Sequence, residues 1–111
     1  MNYNNKIFQV KSNAENGETS TETIFHYWQE GNILWATYKG GDVRFGTITG
    51  IVNRDGSLDF TYQHVNQQME MRTGKCHSIP EIMEDGRIML HEEWLWTKGG
   101  KGSSVLVQSI K

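Results

Sequence analysis

The side chains able to do chemistry lie mostly in the second half of the chain, and the sharpest pair is Arg72 and Glu92. If the connection over 79–86 is centred on residue 82, Arg72 lies opposite Glu92 and Gly74 opposite Leu90. Residues directly opposite in a sheet point to the same face. Burying two charges is costly, and a filled core ordinarily uses apolar residues instead. A chain that keeps such a pair inside has a use for it, in holding a polar ligand or moving a proton. The plainer reading is a structural ion pair, or a solvated one at the mouth of a cavity. Tyr62 and His64 combine apolar bodies with polar tips, and serve either as hydrogen-bonders to a ligand or as a satisfied core pair. A general-base role for His64 lacks an identifiable partner, and geometry comes first for that role. Trp28, Trp35, Trp94 and Trp96 suit the lining of a pocket, and equally an ordinary β core.

Other chemistries fit less well. His91-Glu92-Glu93 superficially matches a zinc motif, but the helical form needs a second His at position 95, which is Leu. On a strand His91 and Glu92 face opposite ways, and Cys76-His77 has the same defect. With one cysteine and four histidines, no metal site is expected. Cys76 as a nucleophile would need a nearby base; a small buried residue is the better reading. No glycine-rich phosphate loop and no Gly-x-Ser-x-Gly elbow occurs, so no cofactor is expected.

The elements that must position these residues are strands. Asn16-Gly17, Gly31-Asn32, Gly40-Gly41, Asp55-Gly56, Asp85-Gly86 and Gly99-Gly100 suit tight turns, because Gly, Asn and Asp tolerate positive φ. Between them lie β-branched and aromatic runs, which predict strands over 6–12, 20–29, 33–39, 43–52, 57–65, 69–78, 87–97 and 104–110. Pro80 falls in the connection after the sixth, and Ser103-Ser104 at a hairpin tip. Alanine occurs only twice, and no window shows a helical stripe. Sequential strands with short turns pair as antiparallel neighbours. The expected fold is therefore all-β: a single domain over 1–111, an antiparallel up-and-down barrel of about eight strands, which abolishes exposed edges. A β-sandwich is the structural alternative.

Alternation assigns the faces. Leu58, Phe60, Tyr62 and His64 share one, and Ile88, Leu90, Glu92, Trp94 and Trp96 another; both should point inward. In 69–78 the choice is open, and the register above favours Glu70, Arg72, Gly74, Cys76 and Ser78. A one-residue slip would reverse it. Gly46, Gly50 and Gly74 fall inside strands, where they relieve crowding as a barrel bends.

Bulk properties narrow the partners. The 111 residues carry a net charge of −2, so a basic nucleic-acid footprint is absent. One cysteine excludes an intrachain disulfide framework. No apolar run approaches the roughly 18 residues of a membrane helix, and the N-terminus lacks the pattern of a secretory signal. A soluble cytoplasmic protein with no membrane partner is expected, with a homodimer as its assembly.

The segments Glu15-Asn16-Gly17, Thr23-Ile24-Phe25, Gln29 to Tyr38, Gly40-Gly41, Thr73 to Glu81 and Arg87 to Thr97 are similar to a family of small bacterial proteins of about this length, which carry the label N-acetylglutamate synthase. The label implies transfer of an acetyl group from acetyl-CoA to glutamate. Established enzymes of that activity use an α/β acetyltransferase domain, and no helix-rich pattern here matches it, so the label's activity is not expected. The strand plan also resembles the calycin barrels, which include lipocalins, fatty-acid-binding proteins and avidins. That resemblance implies a lumen holding one small molecule. Three functions follow. The first is a binding barrel for an amphipathic or carboxylate-bearing ligand, with Tyr62, His64, Arg72, Glu92, Trp94 and Trp96 as its contacts. The second is a barrel enzyme, by analogy with lipocalin-like decarboxylases that set Tyr, Arg and Glu around a phenolic acid. The third is a protein-binding module that works through an outer face.

Overall fold

The computed structural model describes residues 1–109. Its eight strands are β1 (Lys6–Asn13), β2 (Ile24–Glu30), β3 (Ile33–Gly40), β4 (Val43–Val52), β5 (Leu58–Asn66), β6 (Met71–Ile82), β7 (Ile88–Trp96) and β8 (Lys101–Gln108). Each pairs antiparallel with its neighbour in sequence, and β1 pairs with β8 to close an up-and-down barrel. The expected all-β barrel is the observed architecture, and every strand has a paired neighbour on both sides.

Three strand limits differ from expectation by more than two residues. β2 starts at Ile24 rather than 20, so residues 14–23 form a ten-residue connection. β8 starts at Lys101, which puts Ser103 and Ser104 in the strand rather than at a hairpin tip. The expected end of that strand, Ile110, lies outside the described residues. β6 runs on to Ile82 and carries Pro80 within it. A proline is tolerated there because β5 has already ended. The β5–β6 ladder stops at Leu58 opposite Ser78, whereas Pro80 pairs only with Leu90 of β7. Met83 N–H donates to the Arg87 carbonyl. Hydrogen-bonded and non-hydrogen-bonded pairs alternate from there, so Pro80 takes a non-hydrogen-bonded position. Its nitrogen faces the side that β5 has vacated.

The extension resets the β6–β7 register. Ser78, not Arg72, lies opposite Glu92, and Gly74 lies opposite Trp96 rather than Leu90. The hairpin is centred on Asp85, beside Gly86 with its φ of 90°, and not on residue 82. The displacement is even, so it keeps parity: Gly74, Cys76 and Ser78 are buried, while Glu70 is exposed and Arg72 lies at the rim.

The barrel is packed unequally along its axis. Toward the turns at 31–32, 53–57 and 83–87 it is filled by Phe8, Leu34, Leu58, Ile88, Leu90 and Leu106. Tyr3 plugs this end. It is fully buried, and its hydroxyl donates to the Gly56 carbonyl at 2.5 Å. The opposite end carries the long connection 14–23 and the turns near 41, 68 and 98. There the inward residues are large aromatics set against glycines. Tyr38 is paired across strands with Gly46, and Tyr62 with Gly74. A Cβ at Gly46 would collide with the Tyr38 ring, and one at Gly74 with the phenol end of Tyr62 and the Leu95 carbonyl. The rings therefore lie against bare backbone on the wall.

Candidate functional site

The lumen near the open end is a pocket with a free volume of about 50 Å³. That is room for roughly three or four water molecules. Its wall includes Phe25, Tyr38, Phe60, Tyr62, Trp94 and Trp96, with Glu92 and Ser104 below and Glu18, Thr19 and His64 above. Ring pairs stack around it: Phe25 on Tyr38 at 4.8 Å and 17°, and Trp94 edge-on to Trp96 at 5.4 Å.

Glu92 is buried in the middle of β7. Its neighbours across the strands on either side are Ser78 and Ser104. Ser78 Oγ donates to one carboxylate oxygen at 2.7 Å and Ser104 Oγ to the other at 3.3 Å. Burial pushes the Glu92 carboxyl up to about 7, and the two hydroxyls hold it back only partly. Tyr62 stands nearby, and its buried hydroxyl has no hydrogen-bond partner among the described residues. The Tyr62, Tyr38 and Tyr27 hydroxyls are all pushed up by burial, so they are neutral phenols and hydrogen-bond donors. Cys76 is likewise raised, first by burial and then by the Glu92 charge, which makes it a thiol and a poor nucleophile.

A second polar group sits at the mouth. Glu18 reaches down from the 14–23 connection onto the ends of β5 and β6. His64 Nε2 meets one carboxylate oxygen at 2.7 Å; Arg72 Nη1 at 2.6 Å and Asn66 Nδ2 at 3.1 Å meet the other. Burial raises the Glu18 carboxyl, but hydrogen bonds from His64 and Asn66 and the Arg72 charge outweigh it and leave it below its ordinary value. Glu18 is therefore an acceptor only, so His64 Nε2 carries a proton and donates. In neutral His64, Nδ1 then accepts from the Tyr38 hydroxyl, at 2.8 Å. The Arg72 guanidinium also lies 4.2 Å over the Trp96 ring, a cation–π contact that orients it.

The six residues selected from the sequence divide between these two groups. Glu92, Trp94, Tyr62, His64 and Trp96 line one pocket. Arg72 stands at its rim and does not pair with Glu92, because the β6–β7 register separates them. The expected Arg72–Glu92 pair is therefore replaced by Arg72–Glu18 and by Glu92 with two serines. Trp35 faces outward, and Trp28 stacks on His26 at 4.0 Å on the outer face, so neither lines the lumen. His91 and His77 form surface pairs with Glu81 and Asp59, each at 2.7 Å.

Glu18, Asn66, Tyr38, Ser78 and Ser104 were missed. Parity alone places Asn66 beside His64, and Tyr38 beside Leu34 and Ala36. Centring the hairpin on Asp85 would have brought Ser78 to Glu92. No periodic signal places Glu18, since it lies outside any strand.

A family model for an avidin-like protein matches residues 1–109, nearly the whole chain, and this places the chain in that family. No curated protein and no solved structure matches.

Proposed function

We propose that this chain, a member of the avidin-like family, is a small-molecule binding barrel whose ligand is amphipathic and bears a carboxylate. One observation carries the reading: the barrel is packed solid at one end and left as an aromatic, polar-tipped pocket at the other. A chain needing only stability would fill both ends, since apolar packing outperforms a buried carboxylate. The ligand's apolar body would lie among Trp94, Trp96 and Tyr62. Glu92 and its two serines would meet a polar group at the inner end, and Arg72 with His64 would meet the carboxylate at the rim. At about 50 Å³ the pocket is too small for such a molecule as it stands, so Glu18 and Thr19 must give way for it to enter. Native mass spectrometry of protein purified from its own host is the direct test. A retained small mass, lost in Trp94→Ala, is expected; protein that carries no adduct and leaves its tryptophan emission unchanged with a panel of amphipathic acids would overturn the reading.

A barrel enzyme is the second reading, and Glu92 favours it: a carboxyl that titrates near 7 inside a pocket suits acid–base work. The decarboxylase-like grouping of Tyr62, Arg72 and Glu92 has less support, because Arg72 is engaged at the rim. Acetylation of glutamate is not part of either reading, since the all-β barrel lacks the α/β acetyltransferase domain. Incubation with acetyl-CoA and glutamate should yield no N-acetylglutamate by mass spectrometry, and robust turnover would reverse this.

Self-association belongs to the same proposal. The outer face of β3 to β7 forms a shallow groove in which Ile33 pairs with Ile51 beside exposed Trp35. Exposed apolar area of this kind marks interaction surfaces, and a second copy would cover it.

A further inference from the structure

His64, Asn66 and Arg72 converge on one point at the mouth, and what fills that point is a carboxylate from the chain itself. The three donors belong to the rigid barrel. His64 and Asn66 are buried on β5, and Arg72 lies opposite His64 on β6. Each is fixed from behind: Tyr38 on His64 Nδ1, the backbone N–H groups of Gln68 and Glu70 on Asn66 Oδ1, and the Trp96 ring under Arg72. The carboxylate, by contrast, arrives on the long connection 14–23, which has no strand pairing and only half-buried or exposed residues before Thr23; Asn13 Nδ2, donating to the Thr19 carbonyl and hydroxyl, is the side-chain tie beside Glu18. Preorganised donors on a scaffold and a removable acceptor on a loop make a receptor and a surrogate.

We infer that the His64–Asn66–Arg72 cradle is the subsite for a carboxylate group of the ligand, occupied at rest by Glu18, and that binding exchanges one carboxylate for the other while the 14–23 connection lifts. The inference rests on the small-molecule reading of the lumen and deepens it. The exchange conserves charge and hydrogen bonds at the cradle, so neither His64 nor Arg72 is left unpaired in either state. It also opens the lumen, because Glu18 and Thr19 form its upper wall. The Trp96 indole N–H, which donates to the Asn16 carbonyl at 3.3 Å, would lose that partner as the connection moves. A tethered Glu18 competes at the high effective concentration of a short loop. Simple acids should therefore bind the native protein weakly.

Emptying the cradle tests this. In Glu18→Ala, sodium acetate should raise the melting temperature above that in sodium chloride of equal ionic strength. The native protein and Glu18→Ala/Arg72→Met should show no such difference. Phenylacetate, which adds a ring for the lumen, should bind Glu18→Ala about tenfold or more tightly than the native protein, while phenylacetamide should not distinguish the two. Glu18→Gln keeps the cradle filled without the charge and secures the test if the alanine variant folds poorly; acetate should stabilise it also, though less. Absence of acetate stabilisation in both variants overturns the cradle. Acetate stabilisation with phenylacetate no better than acetate leaves the cradle standing and counts against the lumen. The indole N–H resonance of Trp96 should shift with phenylacetate in the native protein, and an unmoved resonance at saturation would remove the loop movement from the inference.

Discussion

Glu92 is held by two serine hydroxyls in a site that favours its neutral form, and this makes folding depend on pH in a defined direction. Its carboxyl is raised to about 7 from an ordinary 4.5, so the folded chain keeps a proton that the unfolded chain releases. Stability contributed by that proton is complete below about 4.5 and is lost as pH rises through about 7. The loss amounts to about 3 kcal/mol. Glu18, Asp55, Asp59 and Asp85 are shifted the other way, and they weaken the fold only in acid, below their unfolded values. Between pH 5 and 8, therefore, ionisation of Glu92 should make the melting temperature fall. In Glu92→Gln that fall should largely vanish, and at pH 8 the variant should be at least as stable as the native chain. A native-like slope in the glutamine variant would mean that Glu92 is already ionised in the fold.

At the scale of the elements, the open half of the barrel is shaped by pairing a ring on one strand with a glycine on the next. Gly46 faces Tyr38 across β3 and β4, with no room for a Cβ. Gly46→Ala should cost about 1–3 kcal/mol as an overpacked site. It should also push the Tyr38 hydroxyl off His64, so that binding at the mouth weakens beyond the loss of stability. Urea denaturation beside a ligand titration separates the two effects. The closed half depends on the N-terminal segment. Tyr3→Ala should cost about 3–5 kcal/mol, as for other large aromatics removed from a core. Tyr3→Phe should cost only about 1 kcal/mol, for the hydrogen bond to Gly56. If the alanine variant lost no more than the phenylalanine one, the plug would not be part of the core.

For the whole molecule, closure of the barrel sends every second side chain outward, and several of these are large and apolar. Ile33, Trp35 and Ile51 lie together on β3 and β4. Replacing Trp35 and Ile51 by Glu should leave the fold intact, because neither side chain enters the core. Light scattering on the eluted native protein should give more than one chain per particle, and on the double variant a single chain. A native protein that is monomeric at high micromolar concentration would count against self-association through this face.

Strand number, fold class and the inward faces of β5 and β7 were legible in the sequence, because turns are local chemistry and alternation is enforced by the pleat. So were Tyr62, His64, Glu92, Trp94 and Trp96 as neighbours: they share parity on two strands, and parity survives an even error in register. The partners of the charged groups were not legible. Pro80 looked like the end of β6, and only the tertiary context, with the β5 ladder stopping at Leu58 opposite Ser78, gives a proline nitrogen a harmless direction there. That decided whether Glu92 met Arg72 or Ser78. Glu18 lies on a connection without period, so its place depends on where three donors from other elements happen to converge. Repeating backbone geometry writes itself into the residue pattern; a loop carboxylate settled by long-range electrostatics does not.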